Sequence, residues 1–148
     1  MDAQALPPDW ARVDDSGAIT AAAGPVGTPP RFGLDAARTV LRFQESCQDT
    51  DRALAGRTAT ELVLPPQDTR AVYDLAGNPQ VDWQHPLGLS AAAAAADASG
   101  QRDRADELLD AASHLDERDP TYYGAAWAAL GRVLLRTTLL NDCARTSP

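Results

Sequence analysis

Lysine is absent from the 148-residue sequence: all thirteen basic side chains are arginine, against 21 acidic ones, for a formal net charge of −8. Such a balance lacks the basic face that neutralises phosphates, which excludes a nucleic-acid-binding module as the leading idea. Also missing is any window of ~18 uninterrupted apolar residues, the length a membrane-spanning helix needs. Residues 1–10 carry no basic stretch followed by an apolar one, so they do not read as a secretory signal. Aromatics make up only 5% of the chain, so the core has to be built from Leu, Val and Ala on helices. No His/Cys cluster has metal-ligand spacing, so neither a metal nor another cofactor is expected. The glycines form no phosphate-cradling loop. Alanine is plentiful, including the run Ala91 to Ala96, which with the arginines reads as the bias of a GC-rich genome.

What is present reads as one domain over 1–148, all-α, with an irregular leading loop at 1–30 and helical hairpins from 31 to 148. The leading loop is punctuated by Pro7, Pro8, Gly17, Gly24, Pro25, Gly27, Pro29 and Pro30, which allows no long helix. Trp10, Val13 and Ile19 want burial, so this loop is expected to pack against the rest. Helical spacing then predicts helices near 35–47, 50–64, 87–98, 102–116 and 121–140. Asp35 is placed to cap the first or to sit in its first turn. Residues 67–88 read as loop, with a short turn or strand at Ala71–Leu75. Pro86 opens the third helix, and Asp119-Pro120 precedes the fifth. The third and fifth are apolar over most of their surface, while the fourth is one-sided. That alternation predicts inner helices near 35–47, 87–98 and 121–140, and outer ones near 51–64 and 102–116, with antiparallel neighbours where loops are short.

The stretch Arg31-Phe32-Gly33-Leu34-Asp35-Ala36-Ala37-Arg38-Thr39 resembles the Phe-Gly-aromatic-Asp-Ala-x-Arg motif of glycoside hydrolase family 8, inverting endoglucanases that include bacterial cellulases. Leu6 to Trp10 and Asp14 to Gly17 fit the loop before it. Tyr73 to Gly77, then His85-Pro86 and the alanine run, are similar to the family's next segment. Pro120 to Tyr123 and Trp127 to Gly131 resemble its last helix. The ordered set covers most of the chain. It implies a partial (α/α)6 barrel, the carboxyl-terminal half of a six-hairpin toroid, and a polysaccharide or oligosaccharide partner with β-1,4 linkages. Secretion or a cell-surface site would follow from the family, though not from the amino end of this chain.

By that resemblance Asp35 is the candidate general base, Arg38 orients it, and Tyr122 and Tyr123 line the substrate groove. Inversion needs two carboxyls about 6.5–9.5 Å apart, one to protonate the leaving oxygen and one to activate water. The family's acid is a Glu in a Ser-Glu-Gly-type motif, and Glu45, Glu61, Glu107 and Glu117 match no such motif. The chain is therefore expected to be incomplete alone, needing an amino-terminal half, or forming a homo-oligomer over the exposed apolar surface of half a barrel. Leu34 also replaces the Tyr that commonly positions the water.

Plainer alternatives stand beside these. Asp35 with Arg38 is, taken alone, an N-cap with a local ion pair. Tyr122-Tyr123 at a helix start is ordinary packing. His85 is a loop histidine and His114 a surface one. The acidic runs at 103–107 and 116–117 are a solvated face. A bridge between Cys47 and Cys143 would close a loop of about 97 residues, worth roughly 4–5 kcal/mol. A helix between the two ends at ~10 Å per neighbour argues against it, so the pair stays open. A non-catalytic helical module for glycan or protein binding is the rival function. A tetratricopeptide-like repeat is disfavoured, because no period near ~34 residues is present.

Overall fold

The run Leu34, Ala37, Val40, Leu41 sets one apolar face of α1 (Leu34–Glu45), and Ala36, Ala37, Val40 and Leu41 are buried. A computed structural model describes residues 6–140. It continues with α2 (Asp49–Arg57), α3 (Ala59–Leu62), α4 (Pro86–Ala98), α5 (Arg102–Arg118) and α6 (Tyr122–Arg136). Short 3-10 turns lie at Pro25–Gly27 and Pro66–Asp68. The described residues are thus mostly helical, with one two-stranded sheet.

Helix α4 is the centre. Every residue from Pro86 to Ala96 is buried, and α1, α2, α3, α5 and α6 all pack on it. An alanine face lets neighbours approach closely from every side, which is why the most alanine-rich segment is the innermost. Directions follow from paired positions. Ser90 Oγ donates to the Trp127 carbonyl at 3.2 Å, and Arg136 Nη1 donates to Asp97 Oδ1 at 2.9 Å, so α4 and α6 run parallel. Gln44 Nε2 donates to Asp97 Oδ2 at 2.7 Å, which brings the carboxyl ends of α1 and α4 together. Arg132 reaches back to Asp110 and Arg136 to Asp106, so α5 is antiparallel to α6. The three helices expected to be inner are therefore parallel, and α5 lies antiparallel across two of them.

At the amino ends, a loop ties α1 to α4. Phe32 and Tyr73 exchange backbone hydrogen bonds at 2.9 Å in an antiparallel bridge. The Tyr73 hydroxyl accepts from the Arg70 N–H at 2.6 Å, and the Arg70 carbonyl lies over Gly88 in the first turn of α4. A Cβ on Gly88 would stand 3.2 Å from that oxygen. Phe32 and Tyr73 are the largest fully buried side chains, so two of the eight aromatic residues serve this junction. Burial pushes the Tyr73 hydroxyl above its ordinary pKa.

Several expectations are corrected. The leading loop contains a hairpin, β1 (Ala11–Val13) with β2 (Ile19–Ala21), in register Ala11 to Ala21. Trp10, Val13 and Ile19 are exposed, not buried. A two-stranded ribbon this short leaves side chains on both faces in solvent. The segment expected as one helix over 50–64 breaks at Thr58. There the buried hydroxyl and the backbone N–H both go to the Ala55 carbonyl, which tightens the turn and ends α2. Helix α6 stops at Arg136 instead of 140, because Thr137 turns extended and its hydroxyl takes the Val133 carbonyl at 2.7 Å. Cys47 is disulfide-bonded. Cys143 lies outside the described residues.

Candidate functional site

The amino ends of α1, α4 and α6 gather at one end of the bundle, since the three helices are parallel. Each is closed differently. At α1 the cap is Asp9, from the leading loop: its Oδ1 accepts from the N–H groups of Gly33 and Ala36, both at 2.9 Å. Gly33 itself has no side chain to offer, and a Cβ there would stand 2.4 Å from Asp9 Oδ2. Asp35 therefore does not cap; it sits in the first turn, where a carboxylate faces the positive end of the helix.

Arg38, one turn on, donates to Asp35 Oδ1. The Asp35 side chain is 51% exposed, so the pair contributes little to stability. It does fix where the carboxylate stands. Its second oxygen, Oδ2, has no hydrogen bond among the described residues and can accept from a water or a hydroxyl. Chemically the pair can hold an ionised carboxylate in solvent and take up one proton.

At α4 the cap is His85, whose Nδ1 accepts from the Leu87 N–H at 3.1 Å. That bond assigns the neutral ring's proton to Nε2. The imidazole lies against the Tyr123 ring at 5.6 Å between centroids, and Tyr123 meets Trp127 edge-on at 6.3 Å. Burial lowers the His85 pKa, while the Asp116 carboxylate pulls the other way. At α6 the cap is Thr121, whose hydroxyl accepts from the Gly124 N–H at 2.8 Å. Asp116 Oδ1 is buried there without a hydrogen-bond partner, where a Cβ on Gly124 would stand 3.1 Å from it.

The residues named from the sequence are thus distributed as follows. Asp35 and Arg38 are joined. Tyr123, 37% exposed, packs inward on His85 and Trp127; Tyr122, 94% exposed, projects into solvent. No hydrogen bond joins Asp35 or Arg38 to either tyrosine among the described residues. Three Glu candidates already pair with neighbours on their own helices: Glu45 with Arg42, Glu107 with Arg104 and Glu117 with His114. Glu61 lies with one buried, unpartnered oxygen, its side chain against Gly77.

Two site residues escaped the sequence reading. His85 before Pro86 carries an N-cap signal that was there to be read, because proline favours the first helical position. Asp9 gave no signal, since its helix begins far along the chain. Among the described residues no group of three His, Cys, Asp or Glu could hold a metal, and no helix is long and apolar enough to cross a membrane. Compared with protein-family models, curated proteins and solved structures, the chain matches none.

Proposed function

We propose that this chain is the carboxyl-terminal part of an inverting glycoside hydrolase of the family 8 kind, a partial (α/α)6 barrel acting on β-1,4-linked polysaccharide, with Asp35 as general base. The observation that supports it most is the Asp35–Arg38 pair at the open amino-terminal end of three parallel helices. A carboxylate oxygen free of hydrogen bonds among the described residues lies at the end of the bundle where α6 begins with the exposed Tyr122. In this reading Asp35 takes a proton from water as the water attacks the anomeric carbon, and Arg38 holds the carboxylate in place. Tyr122 is free to meet sugar; Tyr123 is a packing residue first. The acid comes from outside the chain, from an amino-terminal half. The exposed Ala125 and Ala129 of α6 leave a flat side where such a half, or a second copy, would pack.

A substrate whose leaving group departs unprotonated tests this without the missing acid. A β-cellobiosyl fluoride should be hydrolysed faster with the chain than without it, and Asp35→Asn should remove the gain. Equal rates with and without the wild-type chain would refute Asp35 as base. The second reading is a glycan-binding module without catalysis. It is favoured by the two half-exposed tryptophans, Trp10 and Trp83, which offer stacking surface whether or not Asp35 acts.

A further inference from the structure

Three helix ends meet at one point of the amino-terminal end of the bundle. A Cβ built on Gly124, in the first turn of α6, would stand 2.8 Å from Thr121 Oγ1, 3.1 Å from Asp116 Oδ1 and 3.2 Å from Pro86 Cγ. Asp116 belongs to the last turn of α5, and Pro86 opens α4 directly after its cap, His85. Asp116 Oδ1 is buried and has no hydrogen-bond partner. A buried acceptor left without a donor is costly to keep. The imidazole of His85, close enough to feel the Asp116 charge, is held elsewhere: its Nδ1 accepts from the Leu87 N–H at 3.1 Å, and the ring lies against Tyr123. Its Nε2–H has no hydrogen-bond partner among the described residues. A spare donor and a spare acceptor thus stand in the same corner, unjoined.

We propose that His85 is a proton-operated latch between two helix ends. Neutral, it caps α4 and holds Tyr123; protonated, it turns to Asp116 and frees the first turns of α4 and α6.

One proton reverses which helix end the ring prefers. The amino end of α4 carries positive partial charge, which suits a lone pair and repels an imidazolium. Protonation also puts a hydrogen on Nδ1, so the ring can no longer accept from Leu87. The last turn of α5 carries the opposite partial charge and adds the Asp116 carboxylate to it. Asp116 accordingly favours the charged ring, against the burial that disfavours it. The other charges in this corner are engaged or in solvent. Glu117 meets His114 at 3.2 Å, and Arg118 and Asp119 are exposed. Asp35 is paired with Arg38 on α1, Pro86 to Ala96 of α4 carry no charge, and the first turn of α6 holds no acid. Tyr123 bridges His85 to Trp127, so a departing imidazole uncovers one side of its ring. The turn that carries Tyr122 and Tyr123 then keeps the Thr121 cap but loses its hold on α4.

The latch needs neither the glycosidase reading nor a catalytic Asp35, and its test involves no substrate. The full chain is followed by NMR from about pH 7.5 to 4.5, the window in which a histidine titrates. The His85 ring, the Leu87 amide and the Tyr123 ring should shift together, with one midpoint below the ordinary 6.5. Above that midpoint the His85 ring protons should show contacts to Tyr123. Below it those contacts should be lost and contacts to Asp116 and Gly124 gained. Asp116→Asn should lower the midpoint by about half a pH unit or more, since it removes the charge that favours the imidazolium. His85→Asn, which caps without titrating, should leave the Leu87 amide and the Tyr123 ring unmoved across the window. Far-UV circular dichroism at each pH distinguishes a local rearrangement from unfolding. A His85 ring that titrates with its Tyr123 contacts intact would overturn the latch. So would an unchanged midpoint in Asp116→Asn, the same Leu87 and Tyr123 shifts in His85→Asn, or a wild-type chain that unfolds before the ring titrates.

Discussion

The carboxylate of Asp9 and the backbone N–H of Gly33 meet at 2.9 Å across 24 positions of sequence, and the same oxygen takes the Ala36 N–H at 2.9 Å. The leading loop thus closes the helix that bears Asp35, which no local side chain does. Asp9→Ala should cost about 1–2 kcal/mol, the usual worth of an N-cap. The ion pair to Arg31 adds little because the arginine is half exposed. Asp9→Asn keeps one acceptor oxygen and should cost less than alanine. Urea unfolding checks this: the midpoint should fall with an unchanged slope. An alanine variant as stable as the wild type would mean that the loop does not hold the helix.

His85 makes the amino-terminal end pH-sensitive. Its folded pKa is lowered by burial, with Asp116 opposing, from an ordinary value of 6.5. A depressed folded pKa means that the unfolded chain binds the proton more readily. Stability is then fully present above pH 6.5 and is lost as pH falls through the folded pKa. Protonation would also remove the Nδ1 lone pair that accepts from Leu87. Unfolding free energy should decline from about pH 7 downward. His85→Asn, which can still cap a helix, should flatten that decline. An identical slope in both proteins over that window would show that His85 is not its source.

Gly131 records how closely α4 and α6 approach. A Cβ there would stand 2.7 Å from Ser90 Oγ, 3.0 Å from Ser90 Cβ and 3.3 Å from Leu109 Cδ2. Gly131→Ala gains helix propensity of up to about 1 kcal/mol, but overpacking typically costs about 1–3 kcal/mol. Ser90 is fully buried and cannot swing out, so the variant should be destabilised on balance. Ser90→Ala removes the nearest atom along with the bond to the Trp127 carbonyl. The double variant should therefore lose less than the sum of the singles, a coupling that a double-mutant cycle measures. Strict additivity would place the strain elsewhere.

The helices were legible because their apolar residues recur at helical spacing, and the all-round alanine face of 91–96 marked the central helix. The parallel arrangement followed from alternating inner and outer character. What was not legible rests on competition or distance. Thr58 and Thr137 end helices with hydroxyls that take backbone carbonyls, a choice that spacing cannot reveal. Trp10, Val13 and Ile19 read as core by composition, yet a short hairpin with nothing to bury them leaves them out. At the candidate site, the Asp35–Arg38 pair was readable as an i, i+3 spacing. The cap from Asp9 was not, because it is a tertiary contact, and the inward turn of Tyr123 depends on His85 and Trp127 closing around it.

Asp35 gives the sharpest expectation. Three glutamates that could serve as acid are occupied on their own helices, and Glu61 lies packed against Gly77. On the proposed reading, with Asp35 as base and the acid supplied from elsewhere, the chain should leave soluble β-1,4-glucan intact, since a sugar oxygen leaves poorly unless it is protonated. Fluoride needs no proton. With β-cellobiosyl fluoride, the proposed step has water attack the anomeric carbon and pass its proton to Asp35 as the carbon–fluorine bond breaks with its electron pair on fluoride. General-base help is worth about 10²–10⁴-fold, and Asp35→Asn should forfeit that factor while leaving affinity for oligosaccharide unchanged. Arg38→Ala should lower the rate less, because the carboxylate remains but loses its anchor. The first product should be the α-anomer, the inverted configuration, visible by NMR before mutarotation. A β-anomer would point to a covalent intermediate and remove the inverting assignment. Glucan turnover by the chain alone would mean that an acid exists within it after all, with Glu61 the first to substitute.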